Sequence, residues 1–211
     1  MDRVAAFLVA ARTTQSLLNA SAVSDSWTEP SALPGFTVGG LAEHLAGQIL
    51  TTARVLTEPP STHELVPLSE HYSRAAWVGA DRDAEPNVII RDSGEQAAAE
   101  GPLALASRVA QAVADLEQGL PAESADRLIR PPAGPWSLSL HDFLLTRMME
   151  MVVHCDDLAY SLRLDTPSFP EPVQDPVLAL LVQLSIRRHG MAAVVRALTR
   201  VERAPLSIAA F

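Results

Sequence analysis

Apolar residues recur every third or fourth position through most of the chain, the period of an α-helix with one buried face. Val4, Phe7, Leu8, Ala11 and Leu18 mark a first helix, from Asp2 as N-cap to about Asn19. The polar stretch SAVSDSWTEPSALPGF follows, broken by Pro30, Pro34 and Gly35. Thr37 then caps a second helix, TVGGLAEHLAGQILTTARVL. There Val38, Leu41, Leu45, Thr52 and Val55 share a face with His44 and Gln48, and that face should be buried.

The periodicity fades between 58 and 91. EPPSTHELVPL suggests a loop, SEHYSRAAWVGA a short helix, and DRDAEPNVIIRD an irregular or briefly extended segment. A long third helix is expected over Ser93 to Gly119, kinked or split at Gly101-Pro102, with alanines that permit close approach of a neighbour. The proline-rich connection PAESADRLIRPPAGPW leads to a fourth helix starting at Ser137 or Ser139. Asp142 lies three residues beyond Ser139 in a capping-box-like position. This helix ends before DTPSFPEPVQDP, and the tail divides into two shorter helices at Gly190. The expected fold is all-α: an antiparallel four-helix bundle over residues 1–164, with residues 165–211 as a helical extension packed on it and no full second domain.

Composition agrees with helices. Alanine and leucine are abundant and aromatics make up only 5%, whereas strands draw on β-branched and aromatic side chains. With 48% hydrophobic and 19% charged residues, the 211-residue chain is globular and long enough for one substantial core. A net charge of −9, with the 16 basic residues scattered, argues against nonspecific nucleic-acid binding. No apolar run approaches the roughly 20 residues needed to cross a bilayer. The start, MDRVAAFLVAARTTQ, has too short an apolar run for a signal peptide. Cys155 is the single cysteine, so no intrachain disulfide is possible. A cytoplasmic protein is expected.

One stretch breaks the pattern. In RMMEMVVHCDDLAYSL, residues 147–162, Arg147, Glu150, His154, Asp157 and Ser161 fall within an arc of roughly 80° on a helix. Leu144, Met151, Cys155 and Leu158 flank that arc on one side; Met149, Val153 and Tyr160 flank it on the other. A polar stripe hemmed by apolar residues is not a solvated face, and a buried carboxylate needs a partner. Glu150 and His154, four apart, can converge on one cation. His44, on the buried face of another helix, is the best third ligand. Such a His-Glu-His set suits zinc, nickel, iron or manganese and leaves open positions. The alternative is a hydrogen-bonded or salt-bridged Glu-His pair in which Arg147 neutralises Glu150.

Two blocks, WTEPSALPGFTVGGLAEHLAGQI at 27–49 and TRMMEMVVHCDDLAYSL at 146–162, resemble the mycothiol-dependent maleylpyruvate isomerase N-terminal family, within the DinB-like superfamily of four-helix metal proteins. The first resembles its Leu-Pro-Gly-aromatic-Thr turn followed by a helical His-Leu pair, the second its Arg, Glu, Val-His and Asp-Leu-Ala pattern. ALTR near the end adds to the likeness. The resemblance places the metal ligands on His44, Glu150 and His154. It also matches Asp157, which would orient a ligand histidine or cap a backbone group, and Arg147, which would neutralise Glu150 or bind a substrate carboxylate. It implies an up-and-down helical bundle holding a divalent cation, usually zinc, and a low-molecular-weight thiol, mycothiol, as cosubstrate. The characterised isomerase carries a C-terminal domain after the bundle. About 45 residues follow the fourth helix here, so the isomerase's substrate is not inherited.

The remaining candidates have plainer expectations. Cys155 points about 100° away from His154 and should pack as a small hydrophobe. His63 and His71 fall in the segment without clear periodicity; His71 is expected at the surface, with lining of the site mouth as its alternative, and His141 is expected to face solvent. His189 suits a helix C-terminus. Trp27, Trp77 and Trp136 should anchor loops, and Arg54, Arg74 or Arg91 could meet an anionic thiol or substrate. The leading expectation is a metal-dependent thiol S-transferase or isomerase acting on a small electrophile, with neither nucleic acid nor membrane as partner and a homodimer left open. The alternatives are a noncatalytic metal-containing binding protein and a metal-assisted hydrolase.

Overall fold

The computed structural model describes residues 2–211. Among the described residues, three helices begin where a short polar side chain takes up a free backbone N–H group. Asp2 accepts from Ala5 N at 2.7 Å at the start of α1 (Arg3–Leu18). Thr37 accepts from Gly40 N at 2.9 Å to start α3 (Val38–Thr57), after the short α2 (Ser21–Asp25) in the polar loop. Ser139, not Ser137, caps α7 (Leu140–Leu162), accepting from Asp142 N at 3.1 Å. Arg163, in the left-handed conformation at φ 57°, ends that helix.

α1, α3, α6 (Pro102–Gly119) and α7 pack around one core in which Phe7, Leu41, Leu45, Leu116, Phe143 and Met148 are at most 1% exposed. Each such side chain contributes about 1.5–3 kcal/mol by leaving water. The all-α bundle expected from periodicity is present, and its directions can be read from the contacts. His44 meets His154 and Gln48 meets Arg147, so α3 and α7 are antiparallel. Arg12 pairs with Glu117 while Val4 and Leu8 lie beside Pro121 and Glu123, so α1 and α6 are antiparallel as well. Thr14 meets Cys155, and Leu8 lies beside Leu144, so α1 and α7 run the same way. α3 and α6 therefore also share a direction, and the chain must retrace the length of the bundle between them.

That return path is where the structure departs most from the sequence pattern. Residues 61–66 lie along a small ribbon formed by β1 (Leu128–Ile129) and β2 (Leu138–Ser139), with Val66 N donating to Ser137 O at 3.0 Å. α4 (Leu68–Arg74) follows. DRDAEPNVIIRD is neither irregular nor extended beyond residue 84. It contributes the first turns of α5 (Glu85–Ala98), with Pro86 in the first turn, where its missing N–H is not needed. The expected 93–119 helix is thus two helices, α5 and α6, split at Gly101, whose φ of 84° favours glycine. α5 lies against α3 at a glycine-to-glycine crossing. A Cβ on Gly94 would stand 2.7 Å from Gly40 O.

α8 (Glu171–His189) packs on α7 and α1, and α9 (Met191–Thr199) turns back on α8 at Gly190. Arg187 of α8 reaches Ser69 O and Ser73 Oγ, tying α4 down. Among the described residues, no single helix is long and apolar enough to cross a membrane.

Candidate metal centre

The polar stripe of α7 faces His44 and Gln48 of α3. His44 Nε2 and His154 Nε2 are 3.2 Å apart, and Glu150 Oε2 is 3.2 Å from His154 Nε2. One ligand atom from each of His44, Glu150 and His154 lies within 4.8 Å of the other two. The Glu150 and His154 side chains are only 14% and 15% exposed. An imidazole carries at most one hydrogen on Nε2, and at these distances it cannot serve both Glu150 and His44. Donors bonded to one cation at about 2.0–2.2 Å stand roughly 3.3 Å apart at tetrahedral angles. The donor set and its spacing fit a divalent ion.

Neighbours hold these side chains in place. Asp157 Oδ2 lies 2.9 Å from His154 Nδ1, which leaves Nε2 facing the other two ligands. Gln48 Nε2 donates to His44 O at 2.9 Å, and its Oε1 accepts from Arg147 Nη1 at 2.5 Å. Arg147 also donates from Nε to Thr146 Oγ1 at 3.1 Å and lies over the Phe143 ring. Its direct partners are therefore Gln48 and Thr146, and no ion pair joins it to Glu150 among the described residues. Ser161 donates to Asp157 O and accepts from Ala32 N at 2.8 Å, tying the loop before α3 to α7.

The charges respond to this crowding. Burial, then the charge of His154, lowers His44 to about 4. Burial alone would raise Glu150, yet the hydrogen bond and charge of His154, with Arg147 and His44, bring it down to about 2. Burial would lower His154, but hydrogen bonds to Asp157 and Glu150 raise it to about 9. At neutral pH the metal-free site thus holds a neutral His44, an ionised Glu150 and an imidazolium at His154.

The family model described as mycothiol maleylpyruvate isomerase N-terminal domain matches residues 8–159. The chain belongs to this family. No curated protein and no solved structure matches it. The match runs from within α1 almost to the end of α7 and so includes both helices that carry the His-Glu-His cluster, while α8 and α9 lie outside it.

Other sequence expectations divide. Cys155 is fully buried beside Thr14, and burial pushes its thiol up to about 11, so it packs as a hydrophobe. Trp27 Nε1 donates to Ala98 O of α5 and Trp136 Nε1 to His71 Nδ1 of α4, so each ties its own connection to a helix of the return path. Arg54, Arg74 and Arg91 pair with Glu58, with Glu64 and Glu70, and with Asp83. His71 is not at the surface. It is 2% exposed, and burial, then the charge of Arg147, lowers it to about 4. Tyr72 went unmarked because one tyrosine in a segment without periodicity gives no signal. A cavity of about 510 Å³ lies elsewhere, lined by Asp2, Arg3, His141, Glu171 and Asp175 among others. His141 is about 13 Å along α7 from Glu150. No ligand cluster converges there among the described residues.

Proposed function

We propose that this chain is a metal-dependent enzyme that uses a low-molecular-weight thiol, mycothiol in cells that make it, for S-transfer to a small electrophile or its cis–trans isomerisation. The observation that carries this is the 3.2 Å spacing of His44, Glu150 and His154 about His154 Nε2, within a chain of the mycothiol maleylpyruvate isomerase N-terminal family. A divalent cation held by these three residues, zinc first by donor type, with nickel, iron or manganese also suited, supplies the Lewis acidity that brings a thiol to its thiolate at neutral pH. Asp157 fixes the His154 ring through Nδ1. Arg147, steered by Gln48 and Thr146, offers a positive charge to an anionic part of the substrate. The 165–211 segment acts in this proposal as an extension that braces α4 and α7. The proposed compartment is the cytoplasm, where small thiols stay reduced.

The test is elemental analysis of the purified protein beside a His44→Ala/Glu150→Ala/His154→Ala variant, followed by thiol-adduct formation with candidate electrophiles. Metal in the wild type alone, with metal-dependent adducts, is the expected result. Equal, negligible metal in both proteins overturns the proposal.

A further inference from the structure

Away from the triad, the cavity of about 510 Å³ is framed by the first turns of α1, α7 and α8. A second cavity, of about 340 Å³, shares Asp2, Arg3 and His141 with it, so the two adjoin along that wall. Their linings differ. The larger carries Glu171 and Asp175, one turn apart on α8, whereas Val4, Leu8 and Leu144 face the smaller. Glu123 also lines the smaller cavity but is paired with Arg127 at 2.8 Å. Arg3, on the shared wall, is partly buried and makes no hydrogen bond or ion pair among the described residues. Its Nη1 is shielded from water and has no acceptor. Burial lowers the Arg3 pKa, and the charge of Asp142 opposes this. Glu171 and Asp175 are likewise in no ion pair among the described residues.

A dry guanidinium nitrogen without an acceptor is destabilising, yet Arg3 does not close onto the carboxylates that line the same cavity. A molecule carrying both complementary charges satisfies both walls at once. We propose that the adjoining cavities bind a zwitterionic amino acid with an apolar side chain. Its carboxylate takes the Arg3 guanidinium, its ammonium meets Glu171 and Asp175, and its side chain fills the lobe of Val4, Leu8 and Leu144. Because no hydrogen bond holds the guanidinium, it can turn about its last bonds and offer two parallel N–H groups to a carboxylate. Asp2, Glu171 and Asp175 repel a simple anion, so the ammonium is part of what is recognised. Both volumes lie within the range of small-molecule sites, about 300–1,000 Å³. Glu171 and Asp175 belong to α8, beyond the residues that the family model matches, so the site depends on the extension. It needs no metal and is independent of the function proposed above.

L-Leucine is the probe, titrated calorimetrically into the full chain beside leucinamide, which lacks the carboxylate, and 4-methylpentanoate, which lacks the ammonium. Leucine should bind at least about tenfold tighter than either analogue, the scale of one charge-assisted hydrogen bond. Arg3→Gln should weaken leucine about tenfold or more with no loss of thermal stability, since this guanidinium has no partner to lose. Glu171→Gln/Asp175→Asn should weaken leucine while 4-methylpentanoate binds as well or better, because a repulsion is removed. Absence of leucine binding at millimolar concentration overturns the proposal. So does leucine bound no tighter than its analogues, or bound equally well by a folded Arg3→Gln. An Arg3→Gln protein that no longer folds makes the guanidinium structural and overturns it too.

Discussion

Loading a cation into the triad at pH 7 must displace the proton held by His154. His44, lowered to about 4, and Glu150, lowered to about 2, are already deprotonated, whereas His154, raised to about 9, is not. The gap between pH 7 and 9 corresponds to about 3 kcal/mol of proton competition. Apparent metal affinity should therefore rise about tenfold per pH unit, roughly thirtyfold between pH 6.5 and 8. Competition against a chromophoric chelator, corrected for the chelator's own protonation, measures this slope. Calorimetry in two buffers of different ionisation enthalpy counts the protons released, and about one is expected. Asp157→Asn removes the charge on His154 Nδ1, 2.9 Å away. It should weaken metal binding by about 10- to 100-fold and move the pH-dependent range downward. An affinity flat with pH, or metal uptake without proton release, would refute the charge assignment.

The same histidines set the pH optimum of the metal-free fold. His44 and His71, both lowered to about 4, hold stability that is present above pH 6.5 and lost as pH falls toward 4. His154, raised to about 9, holds stability that is present below 6.5 and lost as pH rises through 9. Melting of chelator-treated protein should peak near pH 6.5, and a monotonic profile would contradict this. Gly94→Ala pushes a methyl into Gly40 O and should destabilise by about 1–3 kcal/mol in urea unfolding. Gly47→Ala, with open space around its Cβ on α3, should stabilise by about 0.5–1 kcal/mol. Arg108→Ala strips the nearly buried Glu43 carboxylate of its 2.6 Å partner and should cost about 2 kcal/mol at pH 7. Because burial already raises the Glu43 pKa, the loss should shrink near pH 5, as chemical denaturation at the two pH values would reveal.

The long helices and their buried faces were legible because their apolar period is strong and their caps, Asp2, Thr37 and Ser139, are local signals. The polar stripe was legible for the same reason, since hydrophobic flanks make a charged residue conspicuous. Helix α5 was not. Val88, Ile89 and Ile90 look strand-like in isolation, and α5 is held by its crossing with α3 at Gly40, a contact between residues far apart in sequence. The burial of His71 and Tyr72 was hidden because it is imposed by Trp136, Phe211 and α8, none of which is nearby along the chain. Helix direction was equally hidden, because no local pattern says which way a helix runs past its neighbour.

Because α3 and α6 share a direction, a tight hairpin could not join them, and about 44 residues are spent on the journey, from 58 to 101. The triad stands on rods fixed by the core, whereas His71 and Tyr72 ride on that strap. Selection could therefore edit the strap while leaving the rods that carry the triad untouched.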